Sequence, residues 1–195
     1  MIILIFLIII IFIVISLYFI KTYKNDNLVY VKSNLDNNHY WVRDKYNKVN
    51  AANTLASIKE NIQKLVFYLK ENQDKFPENM EYIKALIIRT KVINIMETPE
   101  DEKFTSYTIN KGEKIVFCLR CKIFENIHDI NTLMYVVIHE LAHVGCPEFG
   151  HTPLFKQIFK FLLIQSNNIN IYKPIDYRIN PQTYCGMTIT EYLLD

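Results

Sequence analysis

Residues 139–143 read His139-Glu140-Leu141-Ala142-His143, an H-E-x-x-H pattern. On a helix, histidines four positions apart lie one turn apart on the same face, so both imidazoles can reach one cation. Zinc suits such a pair, because imidazole nitrogen is one of its ordinary ligands. Glu140 stands beside the two rings, where its carboxylate can take a proton from a water activated at the metal. The pattern lies inside an apolar run with Leu133, Val136, Val137 and Leu141 around it, which sets it apart from a chance match on a surface helix.

A catalytic zinc site needs three protein ligands and an open fourth position. The chain has five histidines, His39, His128, His139, His143 and His151. His151 is the simplest third ligand, because the reversal Gly145-Cys146-Pro147-Glu148-Phe149-Gly150 turns the chain back just before it. Cys146 and Glu148 lie nearer in sequence and stay open as alternatives. Cys146 would bring thiolate charge that weakens the Lewis acidity on which water activation depends. His39 and His128 fall in segments that read as solvated. Peptide hydrolysis also needs a donor for the developing oxyanion, and Tyr172, Tyr177 and Tyr184, all beyond the third ligand, are equal candidates for it.

The elements that must position these groups follow from periodicity and punctuation. Asp129 or Asn131 can cap a helix from Thr132 to about Val144. Thr152-Pro153 opens another, running to about Ser166. Ala51, Leu55, Ile58, Ile62, Leu65, Val66 and Leu69 recur at helical spacing, giving an amphipathic helix over Val49–Glu71. A shorter helix is expected over Glu78–Arg89, after Pro77. Val92–Met96 reads as a short strand. Phe104–Asn110 and Lys114–Arg120 flank the turn residues Asn110-Lys111-Gly112-Glu113 as a hairpin. The tail, with Pro174, Pro181 and Gly186, is expected to be irregular and folded over the body.

With 195 residues, half of them hydrophobic and 22% charged, the chain is neither disordered nor low in complexity. Lys and Arg number 22 against 20 Asp and Glu, a net charge of +2, so no strongly basic nucleic-acid surface is indicated. Ile2 to Ile20 carries no charge, and its only polar side chains are Ser16 and Tyr18. As a helix that run would extend roughly 28 Å, close to the hydrocarbon thickness of a bilayer. It lacks a basic n-region and a small-residue cleavage site, so an uncleaved anchor is expected rather than a signal peptide. Lys21 and Lys24 follow directly, and the positive-inside rule then places the body in the cytosol. The expected plan is an anchor over 1–20, a polar tether over 21–48 and a catalytic domain over 49–195, in a single-pass membrane protein. The four cysteines suggest no disulfide framework. Cys118-x-x-Cys121 has no second pair to complete a four-thiolate site, and Cys118 reads as packing in an apolar strand.

His139-Glu140-Leu141-Ala142-His143 followed by Gly150-His151-Thr152-Pro153-Leu154-Phe155 resembles the WLM-domain metallopeptidases and the related SprT-like proteins. Ser106–Gly112 with Cys118-Leu119-Arg120, and Tyr184-Cys185-Gly186-Met187, resemble the versions of this domain in large DNA viruses. The likeness runs from about Trp41 to Thr190. It implies an α+β fold of the minimal zincin type, a small antiparallel sheet packed on helices with H-E-x-x-H on the active-site helix. It also implies Zn²⁺ held by His139, His143 and His151, Glu140 as general base, and a protein or peptide substrate. Well-known members of the family cut proteins crosslinked to DNA. This chain departs from the pattern in the eight-position step from His143 to His151 and in its apolar N-terminus. Whether nucleic acid is a partner is left open. The competing reading is a non-catalytic, zinc-stabilised binding module tethered to a membrane, which would not require Glu140.

Overall fold

The computed structural model describes residues 9–14, 27–100, 102–121 and 125–194. Residues 9–14 are helical and exposed. The rest of the expected anchor lies outside the described residues, among which no helix is long and apolar enough to cross a membrane.

Strands β1 (Leu28–Lys32) and β2 (His39–Arg43) pair antiparallel, with Val29 opposite Val42 and Tyr30 opposite Trp41. This hairpin occupies most of the stretch expected to be a polar tether. Its turn explains the polarity: Asp36 accepts from the Asn38 backbone N–H and from the Tyr40 hydroxyl, and Asn37 sits at φ 59°. Tyr40 and Val42 are buried, so alternate residues of β2 belong to the core. The compact unit therefore begins about twenty residues before the expected boundary at 49.

Helix α1 (Lys48–Glu71) buries Leu55, Ile58, Ile62, Leu65 and Leu69 along one stripe. Two 3-10 turns at Gln73–Lys75 and Pro77–Asn79 lead into α2 (Met80–Arg89), whose Ile83 and Leu86 are buried. The central sheet has the order β3–β5–β4, from β3 (Asn94–Glu97), β4 (Tyr107–Ile109) and β5 (Lys114–Phe117). It is mixed rather than antiparallel as expected. The β4–β5 hairpin is antiparallel, but β3 lies parallel to β5 with Ile95 opposite Ile115, because β4 carries the chain back before β5 begins. β4 is left at the edge.

Helix α3 (Ile130–Gly145) starts at Asp129, whose carboxylate accepts from the N–H groups of Asn131 and Thr132. Its apolar residues, from Leu133 to Val144, are buried almost all round, so α3 is the central helix of the core. Helix α4 (Pro153–Asn168) packs along it and is capped by the Thr152 hydroxyl, which accepts from Phe155 N–H at 3.2 Å. The tail ends in a second hairpin, β6 (Gln182–Tyr184) and β7 (Met187–Ile189), instead of remaining irregular. Its two turn residues, Cys185 at φ 48° and Gly186 at φ 87°, take the left-handed values that two-residue hairpins require.

A disulfide joins Cys118 to Cys185. It corrects the expectation that the cysteines form no bridge, and it pairs Cys118 with the tail instead of with Cys121. Below it, Arg120 and Glu97 form a fully buried ion pair, with two contacts of 2.7 and 2.8 Å. Glu97 also accepts the Arg43 backbone N–H, which fastens the first hairpin to the sheet.

Candidate metal centre

His139 and His143 project from one face of α3 with ring centroids 5.0 Å apart. The loop after α3 brings His151 between them. Its Nε2 lies 3.0 Å from Nε2 of His139 and 3.2 Å from Nε2 of His143. Nitrogens held about 2.0–2.1 Å from one tetrahedral ion would stand roughly 3.3 Å from each other, so the three rings already have the spacing of a ligand set. Their chemistry fits as well. Burial, reinforced by the neighbouring imidazoles, pushes His139 down to about 3, and burial followed by His151 and Lys111 pushes His143 down to about 4. Both rings are thus neutral near pH 7, the form a metal binds. Among the described residues this triad is the group of His, Cys, Asp and Glu side chains that can hold a metal ion.

Several contacts fix the triad. Phe155, in the first turn of α4, stacks on His143 with centroids 4.2 Å apart, and Phe159 meets His139 edge-on at 5.1 Å. The β4–β5 turn holds the loop that carries His151. Lys111 Nζ donates to the carbonyls of Cys146 at 2.8 Å and Glu148 at 2.7 Å, and its ammonium lies over the Phe149 ring. That turn approaches α3 so closely that a Cβ on Gly112, which sits at φ 115°, would stand 3.0 Å from Val144 Cγ1. Glycine is required there by both backbone and space.

Glu140 lies beside the rings with its side chain almost out of solvent. Burial raises its carboxyl to about 7, against the opposing effect of a 2.8 Å hydrogen bond donated by the Thr108 hydroxyl of β4. The triad and Glu140 open into a cleft of about 710 Å³, walled by β4, by Tyr135 and Val136 of α3, by the Phe149 loop and by the tail hairpin.

The sequence candidates separate cleanly in this geometry. His139, His143 and His151 converge. Cys146 is buried in the core and Glu148 is exposed at the cleft rim, and neither joins the triad. His39 stacks on Tyr30 in the first hairpin, and His128 takes the Cys185 N–H at 3.3 Å, so neither is merely solvated. Of the three tyrosines, Tyr172 and Tyr177 pack around Tyr135 in the core, whereas Tyr184 lines the cleft. Sequence reasoning missed Thr108 and Lys111. Thr108 could have been noticed as one of the alternating polar positions of an edge strand, while nothing in the local pattern marks Lys111.

The chain is 46% identical over 178 residues to uncharacterized protein R325 of Acanthamoeba polyphaga mimivirus, covering 91% of this chain and 90% of that protein. The chain belongs to the R325 family. It is also 40% identical over 82 residues to uncharacterized protein 136R of Invertebrate iridescent virus 6, a match spanning 41% of this chain and 43% of that protein. Uncharacterized protein 042R of Invertebrate iridescent virus 3 is 42% identical over 84 residues, 43% of this chain and 50% of its own length. No family model matches the R325-like chain. Among solved structures, Wss1 from Saccharomyces cerevisiae superposes with a TM-score of 0.50 at 24% identity, over 66% of this chain and 86% of Wss1. That likeness shows a shared α+β fold.

Proposed function

We propose that the chain is a zinc-dependent metallopeptidase. The observation that carries this reading is the convergence of three imidazoles, with the Nε2 atoms of His139 and His143 within 3.2 Å of His151 Nε2, beside a buried carboxyl, at the floor of an open cleft. The fold shared with Wss1 and the resemblance to WLM-domain metallopeptidases support it.

His139, His143 and His151 would hold Zn²⁺. When bound, zinc supplies Lewis-acid polarisation of the scissile carbonyl and acidification of water. Glu140 takes the proton as the water oxygen bonds to the carbonyl carbon and the carbonyl π pair moves onto its oxygen. As the C–N bond breaks, the same carboxyl returns that proton to the leaving amine. A carboxyl near 7 is suited to doing both. β4, as a sheet edge on the cleft, offers backbone groups to which an extended polypeptide can add as a further strand.

The test is metal analysis and casein cleavage by the full chain, with and without chelator, beside Glu140→Gln. One zinc per chain, with cleavage lost to chelator and to Glu140→Gln while that variant keeps its zinc, supports the peptidase. Stoichiometric zinc without cleavage under any condition, added DNA included, would establish the binding module instead.

Anchoring through residues 1–20 belongs to the same proposal, resting on their uncharged and mostly apolar character. Lys21 and Lys24 place the domain on the cytosolic side, while the Cys118–Cys185 bridge suits an oxidising side. Digestion of the domain by protease added outside sealed membranes decides between the two orientations.

A further inference from the structure

The hydrolase reading leaves the donor for the developing oxyanion unassigned, and the cleft wall opposite α3 contains one. Ser106 and Thr108 are two positions apart on the edge segment, so their side chains leave the same face, about 7 Å from each other. Thr108 holds Glu140, and Ser106 Oγ lies 2.6 Å from Tyr184 Oη. One short stretch of backbone therefore sets the phenol beside the base, on the same cleft.

The hydrogen-bond count leaves a proton to spare. Ser106 Oγ already accepts the Cys118 backbone N–H at 3.1 Å. The Ser106–Tyr184 pair has two O–H protons and one bond between its members, so when Ser106 donates to Tyr184 Oη the phenolic O–H is the one left over, on a residue that lines the cleft. Burial first, and the nearby Glu140 charge as well, push the Tyr184 phenol above its ordinary range, which keeps it a protonated donor. The phenol is also firmly placed. Tyr184 is 1% exposed, packs on His128 with ring centroids 5.1 Å apart, and precedes the disulfide-bonded Cys185 at the turn of the tail hairpin.

We propose that Tyr184 is a catalytic residue that donates its phenolic hydrogen bond to the oxyanion formed on the substrate carbonyl, with Ser106 as its positioning partner. This rests on the peptidase reading. A donor aimed at charge that appears only in the transition state lowers the barrier without tightening substrate binding.

The experiment compares the zinc-loaded full chain with Tyr184→Phe, Ser106→Ala and Tyr177→Phe. Tyr177 is buried in the core against Tyr135 and does not line the cleft, so removal of its hydroxyl is the control. Two readouts are taken, steady-state cleavage of a peptide and calorimetric affinity for a phosphinic peptide whose tetrahedral anion mimics the reacting group. For Tyr184→Phe we expect kcat to fall by about 10²–10³-fold with KM nearly unchanged and zinc retained. Phosphinate affinity should fall in parallel. Ser106→Ala should lose less, and Tyr177→Phe nothing. The proposal is overturned if Tyr184→Phe matches the wild type in both readouts, if its loss lies in KM alone, or if Ser106→Ala reproduces it in full. A wild-type chain that neither cleaves nor binds the phosphinate overturns the hydrolase reading and this assignment with it. An active wild type with an equally active Tyr184→Phe overturns only the assignment.

Discussion

The Thr108 hydroxyl donates to Glu140 Oε2 across 2.8 Å, joining the edge of the sheet to the helix that bears the histidines. The bond fixes which way the carboxyl faces, and it opposes the burial that raises the carboxyl to about 7. Thr108→Ala should lower kcat roughly tenfold, the effect of about 1 to 1.5 kcal/mol from one hydrogen bond. Thr108→Ser should restore most of it. Without the bond the Glu140 pKa rises further, so the acid limb of the kcat profile should move to higher pH.

The chelated chain should respond to pH through the same cluster. Burial holds His139 down to about 3 and His143 to about 4 in the folded chain, against 6.5 for a free imidazole. Their contribution is complete above about 6.5 and is lost as pH falls, because the unfolded chain takes up protons first. Glu140 has the opposite sign. Its folded carboxyl stays protonated to about 7, against 4.5 for the free group, so stability declines as pH rises between those values. Two histidines outweigh one carboxyl below about 6.5, and the urea midpoint should peak near that pH. Glu140→Gln should remove the decline on the alkaline side.

These groups show how far the sequence carries. The helix bearing them was legible because Leu133, Val137 and Leu141 recur on the inner side and Asp129 offers a cap. The β4–β5 hairpin was legible because Asn110-Lys111-Gly112-Glu113 can supply left-handed turn residues, and Asn110, Lys111 and Gly112 adopt positive φ. His151 followed from the number of ligands zinc needs rather than from any periodicity. The first hairpin was hidden because six polar or turn residues, 33–39 apart from Leu35, dominate a stretch whose strands have few inward positions each. The parallel β3–β5 pairing and the Cys118–Cys185 bridge are long-range events with no local signature. Tyr184 became distinguishable from Tyr172 and Tyr177 only when the tail was placed against the cleft.

Removing the bridge tests that placement. Cys118 and Cys185 are 67 residues apart, and a loop of that length corresponds to about 4 kcal/mol of unfolded-state entropy. The double variant Cys118→Ser/Cys185→Ser should melt well below the wild type and lose kcat through the loosened Tyr184. A phosphine reductant, which carries no thiol to bind zinc, should produce the same pair of changes in the wild type and leave the double variant unaffected.

The buried pair Glu97–Arg120 predicts a large effect far from the chemistry. Glu97→Ala leaves Arg120 without its carboxylate in a site that excludes water, and also frees the Arg43 backbone N–H. A loss of about 3–5 kcal/mol is expected in urea unfolding, with zinc content per folded chain unchanged.

Lys111 grips the carbonyls of Cys146 and Glu148 from a hairpin turn set by the left-handed residues Asn110, Lys111 and Gly112. The loop that carries His151 is therefore fastened by contacts within the protein, and the two other rings are held by aromatic neighbours on a helix that belongs to the core. Loading and stripping should then be rapid, reversible exchange at a socket that keeps its shape, unlike the collapse of small domains that zinc alone holds together. Such a protein can be regulated through the free metal around it without sacrificing the folded chain.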